Sequence, residues 1–396
     1  MRKVALGVAV ALVAAGVALF ALWPSAPRAR IDATVAVREA LADGGAGFAR
    51  ALAPRPFVFP ADHGPHPDFR TEWWYYTGNL RTTAGRHFGF ELTFFRIALA
   101  PGAELAATAP DAARSASRPS VAPRASAWAA RQLYVAHFAV TDVAAGRFRA
   151  FGRSSRDALG LAGATASPFR VWLEDWSVEG EGTSARLRAA EGDVSLDLDL
   201  SAAKPVVAQG DRGLSRKGPA PGNASFYYSI TRMPARGVVR VGGETVEVSG
   251  EAWMDREWST SGLGPDLAGW DWFALQLDDG RELMFYLLRR RDGTIDSFSA
   301  GTLVAADGTT RRLDATDVRV ETLAHWKSPR SGVRYPARWR LRVPSAALQL
   351  EIAPRLPDQE LIVGTRYWEG AVSVTGGDAD RPLTGQGYVE LVGYAE

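Results

Sequence analysis

The sequence predicts an all-β protein: two β-barrel domains in tandem, preceded by an N-terminal apolar helix. Three observations carry this expectation. Phe88, Phe90, Leu92 and Phe94 alternate with Gly89, Glu91, Thr93 and Phe95, the period of two that marks a half-buried strand. The chain holds 13 Trp, 17 Phe and 10 Tyr against only 4 Met, a bias toward side chains that suit pleated surfaces and pockets over helix interiors. Finally, the strand signals occur twice, in the same order.

The repeat can be read residue by residue. Glu72-Trp73-Trp74-Tyr75-Tyr76, a turn, and Gly85–Leu92 match Trp270-Asp271-Trp272-Phe273, a turn, and Gly280–Leu287. Near the ends of the two halves, Gly250-Glu251-Ala252-Trp253-Met254-Asp255 matches Gly385-Gln386-Gly387-Tyr388-Val389-Glu390, each carrying an aromatic, one spacer and an acid. Two halves that open and close alike imply duplicated barrels, because a closed sheet removes its own edges and encloses a cavity.

Along the chain, Arg2 and Lys3 precede an apolar run over 4–23, about the ~20 residues that cross a bilayer as a helix. Residues 1–30 read as a signal anchor or signal peptide. The two basic residues hold the N-terminus inside, which places the rest on the periplasmic side of the inner membrane, anchored or secreted. Residues 31–56 read as a linker containing a short amphipathic helix. The first barrel is expected over 57–260, with an Ala/Pro/Ser-rich mobile insertion at 101–128, and the second over 261–396. Later strand signals include Leu133–Thr141, Val194–Leu200, Val238–Val248, Leu283–Leu288 and Leu348–Ile352. Asp278-Asp279-Gly280 and Ala306-Asp307-Gly308 read as hairpin turns.

Composition excludes several functions. Net charge is +2 with both signs interleaved, which leaves no electrostatic footprint for nucleic acid. The absence of cysteine removes disulfides, thiolate catalysis and Cys-based metal sites. Ser225 and Ser259 lack a Gly-x-Ser-x-Gly elbow, and the five histidines offer them no evident base. Asp62, His63, His66 and Asp68 have metal-ligand side chains but sit in a Pro-rich stretch without helical spacing, so a polar segment that closes the barrel is the plainer reading and no metal is assigned. His137 reads as a hydrogen-bonded core histidine. Glu72 and Glu91 fall in aromatic-rich strands, where outward placement is the commoner case for a glutamate.

Asp62–Pro67, Glu72–Leu80, Phe88–Arg96, Tyr134–Ala139, Gln209–Asp211, Gly222–Ser225 and Ala252–Ser259 together resemble the AttH and carotenoid 1,2-hydratase family, over nearly everything from residue 57 onward. The resemblance implies two lipocalin-like domains and, in the hydratase branch, cofactor-free addition of water to an isoprenoid double bond. That branch uses an Asp in an aromatic-x-Asp motif as proton donor, which falls here on Trp253-Met254-Asp255. Its His-x-Trp pair on the preceding strand aligns with Phe226 and Tyr228, a difference that moves the chain toward the AttH branch, whose members are associated with ABC transporters.

The site implied by residues and resemblance together comprises Asp255, Trp253 and Tyr228 as catalytic groups. An apolar ligand would contact Trp73, Trp74, Tyr76, Tyr227, Trp258, Trp270 and Trp272. Asp255 has two roles open to it. Burial among tryptophans would raise its pKa and keep it a proton donor, whereas Arg256 or Arg232 beside it would make a plain ion pair. Three functions follow: a periplasmic, membrane-anchored module binding a long lipid or isoprenoid, possible partner of an ABC transporter; a hydro-lyase acting through Asp255; or a structural envelope factor with self-filled barrels. The binding module is the leading expectation.

Overall fold

A computed structural model describes residues 45–101, 131–378 and 381–394. The apolar run over 4–23 and all of the insertion 101–128 except Pro101 lie outside them. Of the helix expected in the linker, residues 45–55 are described, and they form turns and extended chain instead.

The described residues form two antiparallel sheets. The first comprises β1 (Thr71–Arg81), β2 (His87–Ala98), β3 (Gln132–Asp142), β4 (Arg147–Arg156), β5 (Ala162–Ala166), β6 (Phe169–Leu173) and β7 (Trp176–Glu181). It continues through β8 (Ser184–Glu191), β9 (Val194–Ser201), β10 (Val207–Ala208), β11 (Leu214–Arg216), β12 (Ala224–Val241) and β13 (Glu244–Ser259). The second comprises β14 (Leu267–Leu277), β15 (Glu282–Arg290), β16 (Ala300–Val304), β17 (Thr310–Asp314) and β18 (Arg319–Lys327). It is completed by β19 (Arg334–Val343), β20 (Leu348–Pro354), β21 (Glu360–Ile362), β22 (Arg366–Asp378) and β23 (Arg381–Val392).

Spatial order in the first sheet is β4-β3-β2-β1-β13-β12-β9-β8-β7-β6-β5, and in the second β17-β16-β15-β14-β23-β22-β20-β19-β18. In each sheet the last strand returns to pair with the first, so β13 lies on β1 and β23 on β14. The duplication seen in sequence is therefore a duplication of strand pairing. Both sheets curl, one into a nearly closed barrel and the other into a half-barrel. Gly280 and Gly308, at φ +85° and +86°, occupy the left-handed positions of the two expected hairpins, which L side chains avoid. Val238–Val248 is not one strand. It spans the tip where β12 turns into β13 through Gly242 and Gly243, both with positive φ.

The barrels do not enclose the oily hollow that duplication suggested. Trp74, Tyr76, Phe90, Phe94, Trp176 and Trp258 fill the first from within. Phe273, Trp339, Leu350 and Trp368 belong to the corresponding cluster in the second. The strands expected to be half-buried are buried on both faces, with β2 covered almost throughout. One face looks into the barrel, and the other meets the second sheet across a third cluster that includes Tyr75, Tyr227, Trp253, Trp272 and Tyr388.

The first barrel also holds charge. Glu72 points inward rather than out, is fully buried, and receives hydrogen bonds from Arg96 and Arg256. Despite burial, the two guanidiniums hold its carboxyl well below the usual range. Arg256 lies 4.0 Å from the Trp74 ring centroid, and His66 stacks on Trp258 at 3.8 Å. The Pro-rich segment closes this barrel: Asp62 pairs with Arg55 at 2.6 Å, and His63 Nδ1 is 2.6 Å from the Tyr228 hydroxyl. Among the described residues no group of acids and histidines is arranged to hold a metal ion.

Removing Glu72 would leave two buried guanidiniums uncompensated. Glu72→Ala is expected to lower unfolding free energy in urea by about 3–5 kcal/mol; a loss below about 1 kcal/mol would show that the network does not hold the barrel.

Candidate active site

Between the two sheets lies a cleft that encloses about 110 Å³, less than the usual range for small-molecule sites, about 300–1,000 Å³. Strand alternation decides what faces it. From β1 come Trp73 and Tyr75, from β12 Tyr227, and from β13 Asp255 and Glu257. The second sheet adds Trp270, Trp272, Tyr286, Tyr367, Glu369 and Glu390.

Asp255 is 3% exposed and, among the described residues, has no guanidinium beside it. Arg256, its neighbour in sequence, points the other way to Glu72, and Arg232 pairs with Glu282 at 2.6 Å. The ion-pair role is therefore excluded. Instead three neutral groups donate to the carboxyl: Tyr227 Oη at 2.5 Å, Ser229 Oγ at 2.6 Å and Trp253 Nε1 at 2.8 Å. Trp272 Nε1 donates in turn to Tyr227 Oη at 3.2 Å. Burial pushes the Asp255 carboxyl up to about 7; the three hydrogen bonds pull it down without prevailing, and the charge of Glu257 adds to the rise.

The second wall carries more acids. Glu369 and Glu390 are directly opposed on β22 and β23. Tyr75 donates from the first sheet to Glu369. Glu91, on β2, is buried, and neither of its carboxyl oxygens has a hydrogen-bond partner among the described residues. Burial raises all three, Glu91 and Glu390 to about 8, and their mutual repulsion raises Glu369 and Glu390 further. At the other end, Lys217 lies 3.3 Å from Glu257 and 4.0 Å from the Tyr286 ring centroid. His137 lies 2.7 Å from the hydroxyl of Tyr367, and its core reading stands.

Of the residues singled out from sequence, Asp255, Trp73, Tyr227, Trp270 and Trp272 meet at the cleft, and Trp253 supports Asp255 from beside it. Trp74, Tyr76, Tyr228 and Trp258 do not. Each sits one residue off the cleft-facing parity and packs inside the first barrel. The positions opposite Asp255 and Glu257 on β12 are Ser229 and Tyr227, one residue away from the expected Phe226 and Tyr228. Sequence reading missed Tyr75, Lys217, Glu257, Glu369 and the role of Glu390. Counting in twos from Asp255 across the paired strands would have found Tyr75, and the repeat itself already aligned Glu390 with Asp255.

An acid whose folded pKa exceeds its unfolded value destabilises the fold as pH rises between the two. At pH 4 Asp255 is protonated in the fold and about half protonated in the unfolded chain, so the difference is small, whereas by pH 8 both states have ionised it and the fold bears the full cost of the buried charge. Asp255→Asn is therefore expected to raise stability at pH 8 by about 2–4 kcal/mol and to change it little at pH 4. Thermal unfolding at the two pH values checks this, and equal shifts would contradict it.

The AttH-like family model matches residues 50–394. Similar in structure is an AttH protein from Nitrosomonas europaea, 36% identical with a TM-score of 0.73, covering 87% of this chain and 100% of that one. Kievitone hydratase from Nectria haematococca shares the fold at 15% identity and a TM-score of 0.63, covering 89% of this chain and 98% of its own. No curated protein matches the sequence. The chain belongs to the AttH-like family.

Proposed function

We propose that the protein is a cofactor-free hydro-lyase that takes a long apolar alkene of isoprenoid type into the cleft and adds water to a C=C bond, with Asp255 as proton donor. The observation that carries this is Asp255 itself: a buried carboxyl in an aromatic cleft, held only by neutral donors and titrating near neutrality. Protonating an unactivated alkene needs an acid that keeps its proton at working pH, and such desolvated carboxyls supply one. The carbocation that forms would be stabilised by the faces of Tyr75, Trp272 and their neighbours, by about 0.5–2 kcal/mol per contact. A hydratase built on the same fold is consistent with this use of the scaffold. The binding-module reading rests on the same aromatic lining but leaves Asp255 idle.

The test is incubation with geranylgeraniol, an acyclic isoprenoid, in H₂¹⁸O. Wild-type protein is expected to incorporate one oxygen from solvent, with turnover lost at alkaline pH, where Asp255 no longer holds its proton. Asp255→Asn should lower kcat/KM by about 100-fold or more while retaining the ligand. Turnover undiminished in the variant would remove Asp255 from the mechanism. Wild-type protein that retains the isoprenoid without labelling it would leave a binding module.

A further inference from the structure

Hydration requires two proton transfers, and Asp255 accounts for one. Water that adds to a tertiary cation must also lose a proton, and a carboxylate facing the same space is suited to take it. Resting on the hydro-lyase reading, we infer that Glu390, on the second sheet's wall of the cleft, is the general base that receives the proton of the attacking water.

Two independent observations lead to Glu390. In sequence it is the repeat counterpart of Asp255, each acid standing two residues after an aromatic, Tyr388 or Trp253. In structure the correspondence is one of register. Asp255 lies between Tyr75 of β1 and Ser229 of β12, and Glu390 lies between Trp272 of β14 and Glu369 of β22. Both acids line one cleft from different sheets. The fold has thus placed two equivalent acids on one enclosed space, and acid-base chemistry needs two.

Their surroundings set the order of ionisation: Glu390 is raised to about 8 and Asp255 to about 7, so the reactive form, with Glu390 ionised and Asp255 protonated, is the minor one-proton form of the pair. Glu390 faces Glu369 from β22, Glu91 from β2, and Asp255 and Glu257 from β13, so the charges acting on it most strongly are carboxyls. Acids crowded into one buried site lose their protons in separate steps, and only part of the cluster ionises near neutrality. Glu91 does not line the cleft, and Glu369 is engaged by Tyr75. Glu390 faces the cleft and has the Trp270 side chain as a donor that favours its charged form.

The step balances. Asp255 gives its proton to the less substituted alkene carbon, and the π pair becomes the new C–H bond. A lone pair of water forms the C–O bond at the tertiary cation, and the resulting oxonium releases a proton to Glu390. Alkene and water become an alcohol. Asp255 ends as carboxylate and Glu390 as acid, and exchange with solvent through the cleft mouth resets both.

The experiment is the pH–rate profile for geranylgeraniol hydration in wild type, Glu390→Gln and Trp270→Phe. Wild type is expected to show a bell that rises near 7 and falls near 8, because the pair must hold one proton and hold it on Asp255. Glu390→Gln should lower kcat by about 100-fold, leave KM within a few-fold and abolish the ascending limb. Trp270→Phe removes a donor to the Glu390 carboxylate and should move the descending limb to higher pH while lowering the maximum, a readout that survives should Glu390→Gln fail to fold. Glu390→Gln that keeps kcat within threefold, or Trp270→Phe that leaves the limb in place, would overturn the inference while Asp255 stands. Wild-type protein inert toward the alkene would overturn both.

Discussion

Carboxyls buried without a cation are the constraint on which this structure turns. Elsewhere the protein gives a cation to several of its buried acids. Glu72 has Arg96 and Arg256 inside the first barrel, and Glu282 has Lys204 and Arg232. Between the sheets the pattern changes. Asp255 is held by a phenol, a hydroxyl and an indole, and Glu91, Glu369 and Glu390 crowd one another. Desolvating an acid without compensation is unfavourable to the fold, and the group responds by keeping its proton. A fold that supplies arginines to other buried acids and, among the described residues, none to these has retained that unfavourable arrangement at the cleft, as functional sites often do.

Duplication explains how the arrangement arose mechanically. Each half returns its last strand to its first, so equivalent residues of the two halves meet where the sheets pack. The interface is then lined twice by matching positions, aromatic residues with Asp255 from one closing strand and Glu390 from the other. Burial of both faces follows directly: the barrel interiors are filled by their own side chains, and the opposite faces enclose the usable space.

How much of this was legible in the sequence depends on which face each residue takes. Strand existence, the repeat, the hairpin glycines and Asp255 were all readable, because they rest on local spacing. What could not be read was which side of β1 and β13 meets a partner. Trp73 and Trp74, or Tyr227 and Tyr228, are equally aromatic, and only the packing of the second sheet separates cleft from core. The same blindness put Arg256 beside Asp255, although adjacent residues on a strand point apart. Glu72 was misjudged because its two arginine partners come from β2 and β13, distant in sequence.

The account turns on the proton of Asp255, and its titration is measured most directly by ¹³C NMR of carboxyl-labelled aspartate, comparing wild type with Asp255→Asn to assign the resonance. A resonance that titrates near 7, well above the 3.8 of an ordinary aspartate, is the expected result. A midpoint at or below 4 would mean that the carboxyl is an ordinary anion, and the acid chemistry assigned to the cleft would be wrong.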